Sequence, residues 1–264
     1  LNLTVTLPSR GRPFGLQTVI ETLQRLESGR HTIRYVLGVD ADDPQSVSAA
    51  WTLWAHDRRV IPWCRVRRSS LGEMVNEMTA AHPADAYVAL CDDVDILTEH
   101  WDEAIHQSWK AEPNGVWWWK TLKQRPATYP VISEGWRKAS GKPYTDYFCF
   151  WWDDMWLMQV WMMASQRPAL WLDAALDDRA QNTQRMRDLR FWANFYTKMK
   201  PERQKRAAFI AQRLGWPVGD LEEHLCDVSP EFLAKAEAIE RFQGEVHVPP
   251  TPEYVRAYQR AAAL

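Results

Sequence analysis

Three aspartates arrive within four positions in the stretch YVALCDDVDIL, residues 87–97. Asp92, Asp93 and Asp95 follow an apolar run, and crowding them is expensive. Each like-charged pair at about 4 Å costs roughly 1 kcal/mol in water and about 4 kcal/mol in a partly dry site. Capping a following helix takes one carboxylate, so three together call for a counter-charge. Hard oxygens in this number suit a divalent cation such as Mg2+ or Mn2+. Two more polar sets follow apolar runs in the same way. PSRGRP (8–13) supplies Pro8, Ser9, Arg10 and Arg12, and DADDP (40–44) supplies Asp40, Asp42 and Asp43. Arginine forks take phosphate oxygens, so arginines beside carboxylates suit a metal-bridged phosphate ligand. Taken singly, each set has a plainer reading: the arginines as a solvated loop, and the 40–44 acids as turn formers before Pro44.

For the three sets to act together, the elements carrying them must end at one edge. LTVTL (3–7) reads as a strand. Leu16, Val19, Ile20, Leu23 and Leu26 then recur at helical spacing. Strands over 33–39, 60–66 and 86–91 alternate with helices over 45–56 and 71–81, and Thr98 reads as the cap of a helix carrying Trp101, Ile105 and Trp109. Apolar strands alternating with helices predict a largely parallel sheet covered on both faces, which binds ligands at the carboxyl ends of its strands. After about residue 115 the rhythm breaks. GVWWWK and TYPVISEGW read as strands, DDMWLMQVWMMA (153–164) as a helix opening on two acids, and PALWLD (168–173) as a last strand. Beyond 178 the pattern is helical, with further starts at Ser229-Pro230-Glu231 and Thr251-Pro252-Glu253. A division is expected near 173–180, giving units 1–175 and 176–264.

Composition narrows the function. No apolar run reaches the roughly 20 residues of a membrane span, and LNLTVTLPSR enters a strand pattern without a signal-peptide pattern. The four cysteines stand apart without a CxxC pair, as in a cytoplasmic protein with reduced thiols. GxxxxGK[ST], GxGxxG and HExxH are absent, which argues against P-loop, dinucleotide and zinc-hydrolase chemistry. Of the seven histidines, His247 in EVHVPP is the one flagged as a late metal or phosphate ligand. Net charge is −2, yet residues 179–213 hold ten Lys or Arg against two acids, a local balance of +8. That segment reads as the solvated face of amphipathic helices or as a phosphate-tracking surface for nucleic acid. Sixteen tryptophans read as dense core or as walls for stacking a sugar or base.

Taken in order, strand-PSRGRP-helix, strand-VDADDP and strand-CDDVD resemble the nucleotide-sugar half of the GT-A fold glycosyltransferases, especially the large inverting family 2. The resemblance covers about residues 3–172. It implies a Rossmann-like, mostly parallel mixed sheet flanked by helices, here with a helical C-terminal extension. In that family the acid after the second strand, here Asp40 with Asp42 nearby, contacts the base of a nucleotide-sugar donor such as a UDP-sugar. A glycine followed four positions later by Asn corresponds to Gly72 and Asn76 in LGEMVNEM. A DxD-like set binds the Mn2+ or Mg2+ that bridges the diphosphate. Here the choice lies among Asp92, Asp93 and Asp95, with Asp93 favoured. The family's base is the second acid of a pair opening a helix, in a pattern like EDxxL. WWDDMWL matches it, with Asp153 and Asp154 as the pair and Leu157 as the apolar follower, so that Asp154 becomes the base. Trp151, Trp152 and 117–119 would then wall the acceptor site.

Other readings use the same residues. A DNA-base glycosylating enzyme would employ the basic 179–213 segment. A sugar-1-phosphate nucleotidyltransferase would need a glycine-rich loop after the first strand, where PSRGRP has one glycine. A non-catalytic nucleotide or Ca2+ module would have no need of WWDDMWL.

Overall fold

The structure, a computed structural model, describes residues 1–66, 70–122, 127–148, 152–179 and 189–221. His247, Trp151 and the helix starts at 229–231 and 251–253 lie outside the described residues.

Among the described residues, eight strands form one mixed sheet and eight helices flank it. The strands are β1 (Asn2–Ser9), β2 (Thr32–Asp40), β3 (Val60–Arg65), β4 (Ala86–Ala89), β5 (Val94–Ile96), β6 (Val116–Thr121), β7 (Pro130–Ser133) and β8 (Leu170–Asp178), in spatial order β3-β2-β1-β4-β7-β6-β8-β5. The first four positions are all parallel. Beyond them β4 meets β7 antiparallel, β7 meets β6 antiparallel, β6 runs parallel to β8, and β5 closes the edge antiparallel to β8.

Eight helices cover both faces: α1 (Pro13–Leu26), α2 (Pro44–His56), α3 (Leu71–Ala81), α4 (Trp101–Ala111), α5 (Glu134–Ser140), α6 (Asp153–Ser165), α7 (Leu189–Lys198) and α8 (Lys200–Leu214). The period-2 alternation of the strands divides the core. Leu3, Val5 and Leu7 with Ile33, Tyr35, Leu37 and Val39 face one cluster, packed by Leu16, Ile20 and Leu23 of α1 and by Trp101 and Ile105 of α4. Val36, Tyr87 and Ala89 face the other, packed by Met74 and Met78 of α3, Trp136 of α5, most of α6, and Ala207 and Ile210 of α8. Thr4 and Thr6 are buried on the strand between, and their hydroxyls donate to the carbonyls of His82 and Val88. That satisfies groups that burial would otherwise penalise.

Local chemistry sets the helix starts. Proline occupies the first turn of α1 and α2, where no amide hydrogen is needed. Ser70 and Glu73 form a reciprocal capping box on α3.

Several details differ from expectation. Thr98 caps nothing. His100, in the left-handed region at φ 56°, precedes α4 instead, and the Thr98 hydroxyl accepts from the Ala175 amide, holding the β5 end to β8. Asp95 lies within a strand, β5, which the short VDI run did not announce. β8 extends to Asp178, so the expected 175/176 division falls inside a strand. The tryptophans at 117–119 are wholly buried. They belong to the core and wall no open pocket, because alternation sends Trp118 into one cluster and Trp117 and Trp119 into the other.

Candidate functional site

Strand register explains why distant polar sets meet. Thr6 pairs with Ala89, so three residues further along each strand Ser9 comes level with Asp92. The Ser9 hydroxyl donates to Asp92 Oδ2 at 2.6 Å, and both residues are buried. Ser9 also pairs with Val39, placing Asp40 at the same edge. The carboxyl ends of β1, β2 and β4 thus bring together Ser9, Arg10, Arg12, Asp40, Asp42, Asp92 and Asp93. Pro8 sits in β1 opposite Gly38.

Arginines hold these acids. Arg10 Nη1 donates to Asp40 Oδ2 at 2.8 Å, and its fork grips both oxygens of Asp42 at 2.5 and 2.8 Å. Arg12 Nη1 lies 2.8 Å from Asp93 Oδ2 and 3.2 Å from Asp92 Oδ1. Asp95 pairs separately with Arg179 Nε at 3.2 Å, across the β5–β8 pair. The counter-charge demanded by the DDVD cluster is therefore present in the chain itself, as two arginines. Burial still raises the Asp92 carboxyl above its usual range, against the pull of Ser9 and Arg12, with Asp93 adding to the rise. Burial also acts upward on Asp43, but bonds from Ser46 and the Gly11 amide win and lower it. Asp43 is the N-cap of α2, accepting from the Ser46 amide at 3.3 Å and from the Gly11 amide at 2.6 Å.

Close backbone packing supports the site. A Cβ on Gly15, in the first turn of α1, would lie 2.5 Å from the Asp92 carbonyl oxygen. The glycine lets the helix approach the loop that carries the acids.

The second acid pair opens α6. Trp152 before it sits at φ 66°, and its side chain does not cap the helix. The first-turn amides favour negative charge. Asp154 Oδ1 accepts from the Met155 amide at 2.8 Å. Burial raises the Asp154 carboxyl, while that amide and its own pull it down. Asp153 is buried, its Oδ1 lacks a hydrogen-bond partner, and a Cβ on Gly72 would stand 2.8 Å from its Oδ2. Desolvation and then Asp154, Asp146 and Glu73 push its carboxyl well above the usual range.

The sign of the resulting pH dependence follows directly. The folded state holds the Asp153 proton more tightly than the unfolded chain does. Stability is therefore lost as pH rises from the ordinary carboxylate range through the raised value. Asp153→Asn is expected to raise the thermal midpoint at about pH 8, by roughly 2 to 4 °C for each kcal/mol recovered. The gain should shrink toward about pH 4, where both proteins carry a neutral group. A midpoint lowered at every pH in a scanning-fluorimetry series would instead mean that the charged carboxylate is held by a favourable partner.

Sequence reading missed Tyr144, which joins the two halves. Burial, then the charges of Asp154, Asp153 and Cys91, push its phenol well up. It packs beside Asp153 over Gly72, where an added Cβ would stand 2.8 Å from Asp153 Oδ2 and 3.0 Å from the Tyr144 Cβ. Asn76 grips it: the Asn76 Nδ2 donates to the Tyr144 carbonyl and Oδ1 accepts from the Tyr144 amide, both at 2.9 Å. Both halves of the Asn76 amide are therefore spent on positioning the Tyr144 backbone. Tyr144 stands in a loop without periodicity, so no sequence pattern marks it. The cavity of about 510 Å3 beyond it is lined by Tyr144, Tyr147, Trp156, Leu157, Lys205 and Phe209, among others.

Part of the basic segment turns inward. Buried Arg203 stacks over the Tyr196 ring at 3.7 Å and donates to the Tyr196 carbonyl, and Arg206 donates to the Ser140 carbonyl.

No helix among the described residues is long and apolar enough to cross a membrane. No protein-family model matches the chain, and no curated protein does. Solved structures do. The mannosyltransferase PcManGT of Pyrobaculum calidifontis, in complex with GDP-Man and Mn2+, matches at 14% identity and TM-score 0.59, over 99% of this chain and 79% of that one. TarS 1–349 of S. aureus in complex with UDP matches at 12% identity and TM-score 0.60, over 100% and 83%. With its eight-stranded mixed sheet between helices, the chain has the fold of the GT-A glycosyltransferases.

Proposed function

We propose that the chain is a glycosyltransferase that moves a sugar from a nucleotide-diphosphate donor to an acceptor hydroxyl with inversion. The observation carrying this reading is the set of arginine-held acids gathered at the carboxyl ends of β1, β2 and β4, with a second acid pair opening α6. The solved structures of like fold in complex with GDP-Man and Mn2+, and with UDP, support the donor class.

Asp93 fits a divalent cation. Its side chain is 15% exposed, Arg12 holds Oδ2, and Oδ1 has no partner among the described residues. Mg2+-like ions need one or two carboxylates plus substrate phosphates. Bound there, Mn2+ or Mg2+ would supply charge neutralisation for the departing diphosphate. The remaining roles belong to side chains. Arg10 and Arg12 turn from the carboxylates to phosphate oxygens. Asp40 and Asp42, so released, face the nucleoside. Asp154 takes the proton from the acceptor hydroxyl as that oxygen attacks the anomeric carbon, and the nucleotide diphosphate leaves from the opposite side. Asp153 places a second, buried carboxyl beside the base.

A screen of UDP-, GDP-, CMP- and dTDP-sugars with Mn2+ or Mg2+, reading released nucleotide, tests this. Release is expected with one nucleotide class and is expected to fall to background with a chelator. Pyrophosphate release from a nucleoside triphosphate and sugar-1-phosphate would instead favour nucleotidyl transfer. Binding of a nucleotide sugar with neither transfer nor hydrolysis would leave only a binding module.

A further inference from the structure

The sheet has a second edge, where the strands begin. His31 stands just before β2, and Glu103 and His106 lie one helical turn apart in the first half of α4. His31 Nε2 is 3.5 Å from Glu103 Oε1, and His106 Nδ1 is 3.7 Å from Glu103 Oε2. The two imidazoles meet edge to face with centroids 4.7 Å apart. One ligand atom from each of the three residues falls within 4.8 Å of the others.

Ordinary packing does not account for this group. The His31 side chain is 5% exposed, and neither of its ring nitrogens makes a hydrogen bond; His106 Nδ1 makes none either. Buried ring nitrogens left without partners are costly. We propose that His31, Glu103 and His106 form a divalent-metal site, suited to a borderline ion such as Zn2+, which takes imidazole and carboxylate together. Ligand distances near 2.0–2.1 Å give a tetrahedron with edges of about 3.3 Å. The two imidazoles lie 3.5 and 3.7 Å from different Glu103 oxygens, and the three ligand atoms span up to 4.8 Å, so side-chain rotation of about an ångström closes them on an ion.

The scaffold is already in place. Asp102 accepts from the amide and hydroxyl of Ser28 at 2.8 and 2.6 Å, and the His100 amide donates to the Leu26 carbonyl at 2.7 Å. These bonds fix the loop before β2 against the start of α4. Arg30, which reaches Glu103 at 3.4 Å, is 75% exposed and free to swing aside. A fourth position would fall to water or a small anion. β2 separates this site from Asp40 by roughly 26 Å of strand, so it is distinct from the cation site at Asp93.

Titrating the full chain with Co2+ tests the proposal, because nitrogen-ligated Co2+ has visible bands that Zn2+ abolishes by displacement. Saturation at one equivalent is expected. H31Q and H106Q should each weaken binding about tenfold or more, while D93A leaves the bands unchanged. Wild-type protein that stays colourless overturns the proposal without recourse to any variant. So do bands that persist in folded H106Q, or that vanish in D93A.

Discussion

Asp154→Asn is expected to lower the transfer rate by a factor of about 100 to 10,000, the usual contribution of a positioned general base, with donor affinity unchanged. Asparagine keeps the shape and can still accept from the Met155 amide, so the start of α6 stays intact. What is lost is the ability to take a proton. The wild-type rate should fall as pH drops through the raised pKa of Asp154, because only the carboxylate works as a base. In the Asn variant that acid limb should vanish from the residual activity. Asp93→Ala should behave differently, losing cation dependence together with donor affinity. Steady-state kinetics with nucleotide binding by calorimetry separates the two. A wild-type rate in Asp154→Asn would remove that residue from the chemistry.

Gly15→Ala is expected to destabilise the fold, although glycine-to-alanine inside a helix ordinarily gains about 1 kcal/mol. The new Cβ would stand 2.5 Å from the Asp92 carbonyl oxygen. The short loop between β4 and β5 is held by the Ser9 bond to the Asp92 carboxylate and by the Arg179 amide bond to the Asp93 carbonyl, so it has little room to yield. Overpacking of this kind costs about 1 to 3 kcal/mol. The displaced groups are Asp92 and its partners Ser9 and Arg12, so nucleotide affinity should fall about tenfold alongside stability. Gln17→Ala, on the exposed side of the same helix, should stay within about 0.5 kcal/mol of wild type. Thermal unfolding of both variants, with donor titration, gives the answer. A stabilised Gly15→Ala would show that α1 stands further from the loop than its position indicates.

Periodicity made the first half of the fold legible. Leu16, Val19, Ile20, Leu23 and Leu26 are the buried face of α1, and the alternation of strand and helix through residue 89 yields the parallel β3-β2-β1-β4 array. The polar sets were legible for the same reason, since each follows an apolar strand. What escaped is non-local. β5 has three residues and exists because β8 pairs with it. Thr98 looks like a helix cap, yet its hydroxyl serves the Ala175 amide 77 residues away. Asn76 lies in the segment that resembles a donor-binding motif, but both ends of its amide go to Tyr144. The run at 117–119 is apolar on both faces of its strand, and only the sheet order explains why both are covered.

Under the proposed function, the Arg10 and Arg12 pairings would make donor binding an ion exchange. Before any ligand arrives, carboxylates and guanidinium groups neutralise one another at the strand ends. A diphosphate donor with its cation would enter by exchange of partners: Asp93 would hold the cation, and Arg12 would turn to a phosphate oxygen. The sum of charges in the crevice scarcely changes, and neither partner is left bare in a half-dry site. The affinity seen for a nucleotide sugar is then the difference between two sets of ion pairs, smaller than either set alone. That difference favours a site that fills and empties readily, as turnover requires.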